Sequence, residues 1–173
     1  CGAGESFEEA YKPKILNKND IKIGFISACE NEFGCLDRDY GRGGYAWIFH
    51  KKIEESIKDI RSKVDFLILN AHAGIENINI PIKLWREKYK QLCDIGVDIV
   101  LGHHPHVPQG VEKHKKSLIF YSLGNFYFDT ESFKNTPDHS FSVILNITKD
   151  KISFKPVFHH KLNGKVMLTS KEE

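Results

Sequence analysis

The sequence is poor in the features that define several protein classes. It holds four cysteines in 173 residues, and Cys1, Cys29, Cys35 and Cys93 form no C-x-x-C pair, so neither a zinc knuckle nor a disulfide framework is indicated. They read as reduced or incidental core thiols. No stretch approaches the roughly twenty apolar residues that span a bilayer, which excludes a membrane-spanning helix from this chain. Charge of one sign is also scarce. The 25 Lys and Arg against 23 Asp and Glu leave a net charge of +2, and the lysines are dispersed. No basic run interleaves with stacking aromatics, so nucleic acid is not an expected partner. What is present is apolar: 40% hydrophobic and 12% aromatic residues, enough to bury a sizeable core in a single domain.

The most informative motif is Gly102-His103-His104-Pro105-His106, which directly follows the apolar run Val97–Leu101. This places imidazoles at a strand end. Alternate residues of an extended segment face the same way, so His104 and His106 are expected to share a ligand while His103 points away. Pro105 restricts its own φ and keeps His104 out of helical space, giving a stiff turn. Neutral imidazole is a common ligand for zinc and similar ions. A solvated polar loop is the alternative for the motif taken alone.

Two further loops support the metal reading. Val64–Asn70 is a second short apolar run, and it ends in Ala71-His72-Ala73-Gly74-Ile75-Glu76. In open α/β sheets ligands collect beyond the carboxyl ends of the strands, so His72, His104 and His106 are predicted neighbours. Between the two runs, Pro81 suits a first helical turn, Ile82, Trp85, Tyr89 and Leu92 keep helical spacing, and Gly96 is a stop. Residues 64–101 thus read as a βαβ unit with parallel strands, preceded by a helix over residues 50–62. Trp85 and Tyr89 are expected in the core. A third strand, Leu118–Tyr121, leads into Ser122-Leu123-Gly124-Asn125-Phe126. Asn125 either ligates a metal through its side-chain oxygen, orients a substrate oxygen, or only makes an Asx-type turn.

Elsewhere the expectations are structural. Residues 111–118 read as a hairpin with a solvated basic tip. Residues 141–147 and 152–158 alternate around Thr148–Lys151 as a β-hairpin. His159 and His160, at its exit, are expected on the surface, and the sequon at Asn146 falls within a strand.

The motifs Gly102–Gly110, Ile119–Phe126 and His72–Glu76 together resemble the poly-γ-glutamate capsule-synthesis proteins of the CapA or PgsA type. Gly2-Ala3-Gly4, Ala10–Pro13 and Ile21–Phe25 are similar to that family's middle section. The resemblance covers the chain to about residue 130. It implies an α/β, partial calcineurin-like metallophosphoesterase fold, a β sandwich flanked by helices with a C-terminal β-hairpin. The whole of 1–173 would be one unit, the C-terminal part of such a domain. It also implies a two-metal centre holding divalent ions such as Mn, Zn or Fe, with His72, His104 and His106 as ligands. Glu76 and Asn125 would be catalytic or positioning groups. Ala73 departs from the family, which commonly has tryptophan there.

The family's first half supplies aspartate and Asn-His ligands that nothing here matches. Glu30, Glu32, Asp37 and Asp39 fit no such motif and receive no role, so the chain is expected to carry half a metal site. The opening Cys1-Gly2 reads as the start of an excerpt, although a mature lipoprotein would also begin so. The implied function is metal-dependent hydrolysis of a phosphoester or γ-glutamyl substrate in capsule synthesis or processing. Expected partners are an anionic polymer or phosphoester substrate and, beside it, capsule-synthesis membrane proteins. The setting would be the cell surface or an extracytoplasmic compartment, with the cytoplasm left open. The competing readings are a non-catalytic polymer-binding scaffold and an inactive fragment.

Overall fold

Successive side chains of the central strands point to opposite faces, and both faces are covered, so Leu67, Ile68 and Leu69 are buried one after another. The computed structural model describes residues 1–31, 34–128, 139–162 and 165–169. Glu32 and most of the polar stretch at 130–139 lie outside the described residues. In chain order the elements are β1 (Ala3–Gly4), α1 (Phe7–Ala10), β2 (Lys14–Lys18), β3 (Ile21–Cys29), β4 (Cys35–Leu36), β5 (Gly44–Ala46), α2 (Lys51–Arg61), β6 (Phe66–His72), α3 (Lys83–Asp94), β7 (Ile99–His103), β8 (Val111–His114), β9 (Ser117–Phe120), β10 (His139–Ile147), β11 (Ile152–Leu162) and β12 (Lys165–Leu168).

Six strands form the central sheet in the order β2-β3-β6-β7-β9-β8. The four inner strands run parallel, and the two edges, β2 and β8, are antiparallel. On one face Leu67, Leu69, Val100 and Ile119 pack under Ile53 and Ile57 of α2 and Trp85, Tyr89 and Leu92 of α3. These helical residues fall on one stripe at three- and four-residue spacing. On the other face Ile68, Ile99 and Phe120 meet Phe141, Val143 and Leu145 of β10 and Ile152 of β11. The result is a two-sheet sandwich with helices on one side.

The predicted βαβ unit is present, with β6 and β7 parallel through pairs such as Ile68↔Ile99 and His72↔His103. The helix begins later than its proline suggests. Ile82 is the N-cap residue, extended at φ −70° and ψ 160°, so Pro81 belongs to the loop. Gly96 has φ +133° beside the Arg61 side chain, a conformation that favours glycine.

One expectation, the antiparallel C-terminal hairpin, holds and is extended, and another is corrected. The C-terminal hairpin is one part of a three-stranded sheet, β10-β11-β12. The third strand leaves little trace in the sequence because it is four residues long and largely solvated, with Leu168 74% exposed. The basic hairpin tip is not merely solvated either. His114 Nε2 lies 2.8 Å and Lys115 Nζ 2.6 Å from Asp94 Oδ1, which clips the tip to the end of α3.

At the N-terminal edge of the parallel strands, Arg61 is fully engaged. Its Nη1 donates to Gly96 O at 3.0 Å and to Asp98 Oδ2 at 2.6 Å. Its Nη2 donates to Val64 O at 2.9 Å and Asp65 O at 2.7 Å. Asp98 Oδ2 also accepts from Leu67 N at 2.8 Å. Charge-assisted bonds of this kind hold the α2–β6 and α3–β7 connections together.

Candidate functional site

The opposite end of the sheet gathers the histidine-bearing loops. His72 is the last residue of β6 and stands in register with Cys29 of β3 and His103 of β7. Chain reversal beyond β7 is tight. Ala73 N donates to His103 O at 3.0 Å and Asn77 N to Pro105 O at 2.9 Å, so the two loops are sewn together. The third loop is pinned by Leu123 N donating to Gly102 O at 3.2 Å and by a Pro108↔Leu123 bridge. Gly102 is required there, because a Cβ would run into the Tyr121 carbonyl.

The backbone of the histidine motif departs from the extended form that the sequence suggests. β7 ends at His103, His104 has φ +96° and His106 has φ +64°. Left-handed conformations in residues with a Cβ are uncommon and cost of order 1–3 kcal/mol each. Alternation along a strand therefore does not explain the placement of these rings.

The strained turn places His104 Nδ1 3.2 Å from His72 Nε2, with ring centroids 5.0 Å apart and nearly perpendicular. On the far side of the same ring, His104 Nε2 lies 3.1 Å from Glu30 Oε1. Glu30 follows β3 directly, and its amide donates to His72 O at 3.0 Å. The sequence alone assigns it no role, yet it completes a row Glu30–His104–His72.

His106 stands slightly apart. Its ring centroid is 6.0 Å from that of His104, and Phe128 packs edge-on at 5.0 Å. His106 Nδ1 lies 2.8 Å from Asn125 Oδ1, and Nε2 is 4.0 Å from Glu76 Oε1. Asn125 Oδ1 thus meets His106 with one of its two lone pairs. Its Nδ2 is buried with no acceptor among the described residues.

The structure therefore gathers His72, His104, His106, Glu76 and Asn125 at one sheet end, but does not focus the three imidazoles on a single point. Among the described residues no group of three or more His, Cys, Asp or Glu side chains is arranged to hold a metal ion. The donor pair alone does fit one. Two nitrogens bound at 2.0–2.1 Å on a tetrahedral ion would be roughly 3.3 Å apart, close to the His72–His104 separation. With the Nε2 proton of His104 directed at Glu30, its Nδ1 faces His72 as a lone pair, and a proton or a cation must sit between facing lone pairs. A carboxylate behind an imidazole is also the usual support for a metal-binding histidine.

His103 does not simply turn away. It lines a cleft of about 230 Å³ with His72, Ser27, Cys29, Asn70 and Tyr45. Burial, followed by the neighbouring His72, holds its imidazole below the ordinary pKa. His159, expected on the surface, is only 2% exposed. Its Nε2 lies 3.1 Å from Ser142 Oγ, Phe126 covers it edge-on at 5.0 Å, and Nδ1 has no partner among the described residues.

A two-sheet α/β sandwich with its polar cluster beyond the parallel strand ends is a metallophosphoesterase-like fold. Solved structures agree. The chain matches a hypothetical protein from Thermus thermophilus with TM-score 0.57 at 13% identity, covering 87% of this chain and 62% of that one. A phosphatase from Mycoplasma pneumoniae matches with TM-score 0.51 at 12% identity, covering 84% and 57%.

The chain belongs to the bacterial capsule synthesis protein family PGA_cap, whose model matches residues 1–130. It is 33% identical over 134 residues to the capsule biosynthesis protein CapA of Bacillus anthracis, covering 74% of this chain and 32% of that protein. It is 40% identical over 139 residues to the PGA biosynthesis protein CapA of Bacillus subtilis, covering 74% and 34%. The chain thus spans about a third of the length of these relatives.

Proposed function

We propose that the protein acts in the synthesis or processing of a poly-γ-glutamate capsule, through a metal-dependent hydrolase-type site to which this chain contributes one part. The row Glu30–His104–His72 carries the reading. His72 Nε2 and His104 Nδ1 would hold one divalent cation, and His106 Nε2 would face a second. Further donors would complete both shells. Bound cations would supply an activated water and polarise a phosphoester or acyl oxygen.

This chain's own residues do the positioning. Glu30 keeps the His104 proton on Nε2, so that Nδ1 stays available toward His72. Asn125 fixes the tautomer of His106 through Nδ1. Glu76, half exposed and close to His106, stands where a substrate or a second support would meet that ring. A cell-surface setting beside capsule-synthesis membrane proteins belongs to the same proposal. No helix among the described residues is long and apolar enough to cross a membrane.

The test is turnover of an aryl phosphate and of a γ-glutamyl amide by the full protein, with Mn²⁺ or Zn²⁺ and with chelator. Metal-dependent hydrolysis is expected, and His104→Ala should abolish it with the fold intact. Polymer binding without turnover of either substrate at any metal concentration would instead establish a scaffold.

A further inference from the structure

We infer that Arg38 and Arg42, gathered on the ring of Tyr40, form an arm that binds successive carboxylates of the anionic polymer. The inference rests on the capsule-polymer reading above but not on catalysis. Residues 37–43 join β4 to β5 and are exposed throughout. Within this loop the guanidinium carbon of Arg38 lies 4.9 Å from the Tyr40 ring centroid and that of Arg42 5.5 Å. Both cations are therefore held within about 10 Å of one another by a single aromatic side chain.

Two like charges gather in this way at some electrostatic cost, and among the described residues neither Asp37 nor Asp39 forms an ion pair with them, although both acids lie in the same loop. Asp37 Oδ1 accepts the Tyr40 hydroxyl at 2.6 Å, and Asp39 Oδ1 accepts Gly41 N at 2.8 Å. Gly41, at φ +66°, closes the turn that these bonds stabilise. Neither arginine has an ion-pair partner among the described residues. Each presents a planar fork of donors suited to a carboxylate, partly immobilised on the ring, so less entropy is lost on binding.

The arm is connected to the site. β5 leads directly from it to Tyr45, which lines the cleft shared with His72 and His103. One residue beyond the strand, Trp47 bridges to Cys29, the neighbour of Glu30. A chain carrying a carboxylate on every residue would engage both guanidiniums while an adjacent segment lies toward the histidines.

The experiment is equilibrium binding of labelled poly-γ-glutamate to the full protein in chelator, where no turnover occurs. The double variant Arg38→Gln/Arg42→Gln should bind at least tenfold more weakly, with a shallower salt dependence. Because binding is read without turnover, failure of the hydrolase reading and failure of the arm remain separable. Lys113→Gln/Lys116→Gln removes equal charge from the β8–β9 hairpin and should have little effect. Unchanged binding by the arginine variant, an equal loss in the lysine variant, or no binding by the wild type would each overturn the assignment. Equal affinity for polyphosphate of matched length, lost through the same two arginines, would also overturn it, by showing a reader of charge rather than of carboxylates. Arg38→Lys/Arg42→Lys, which keeps the charge but loses the planar fork, should bind more weakly than the wild type.

Discussion

The two ends of the central sheet are built on opposite terms. At the N-terminal end, Arg61 and Asp98 exchange hydrogen bonds with Gly96, Val64, Asp65 and Leu67, and the partners are satisfied. At the C-terminal end, two histidines hold positive φ, facing imidazole nitrogens lie 3.2 Å apart, and Asn125 Nδ2 is buried without an acceptor among the described residues. The first end lowers the energy of the folded state. The second raises it, and such local strain persists only where the surrounding structure enforces it, commonly at functional sites.

The comparison can be broken most forcefully at the quiet end. Asp98→Ala would strand a partly buried guanidinium and leave the Leu67 amide without its acceptor. We expect a loss of about 3 kcal/mol in chemical denaturation, with turnover per folded molecule unchanged. A parallel loss of metal-dependent activity would show that the two ends are coupled. A smaller effect, of opposite sign to the usual glycine penalty, is expected at the strained end. His104→Gly should be more stable than His104→Ala by about 1 kcal/mol, because only glycine relaxes the backbone at φ +96°. At Lys58, inside α2, the same pair of substitutions should rank the other way by about 1 kcal/mol.

The smallest effect is one of pH. Burial, aided by His160, pushes the His159 imidazole below its ordinary value. The unfolded chain therefore binds this proton first, so the contribution is fully present above the unfolded pKa of about 6.5 and is lost as pH falls below it. Melting temperature measured from pH 7 downward should fall less steeply in His159→Leu than in the wild type. Identical slopes would place the acid sensitivity of this end elsewhere.

The scaffold is legible in the sequence because its parallel strands are short apolar runs with loops at their ends. Phe66–His72, Ile99–His103 and Ser117–Phe120 lie close to where hydrophobicity alone puts them. The stripe Trp85, Tyr89 and Leu92 is buried as its spacing requires. Glu30 is not legible in the same way, since among Glu30, Glu32, Asp37 and Asp39 only long-range pairing distinguishes the first. The alternation Ile21, Ile23, Phe25 continues to Cys29, and the strand-end rule applied to that run as well points to the residue that follows it. The turn at His104 is hidden for a different reason: a local proline argument excludes the helical region but does not choose between extended and left-handed backbone. His159 defies its surface expectation because doubled histidines carry no sign of the Phe126 and Ser142 side chains that enclose it.

Gly102 has a consequence for how such a protein can be varied. Because the Tyr121 carbonyl occupies the space a side chain would need, the loop bearing His104 and His106 and the loop bearing Asn125 are cut to one another's outline. Grafting either loop alone from a relative would import a mismatched edge, whereas residues 102–125 moved together would keep the seam. Recombination, natural or in the laboratory, should therefore tolerate crossover points on either side of this segment and reject those within it.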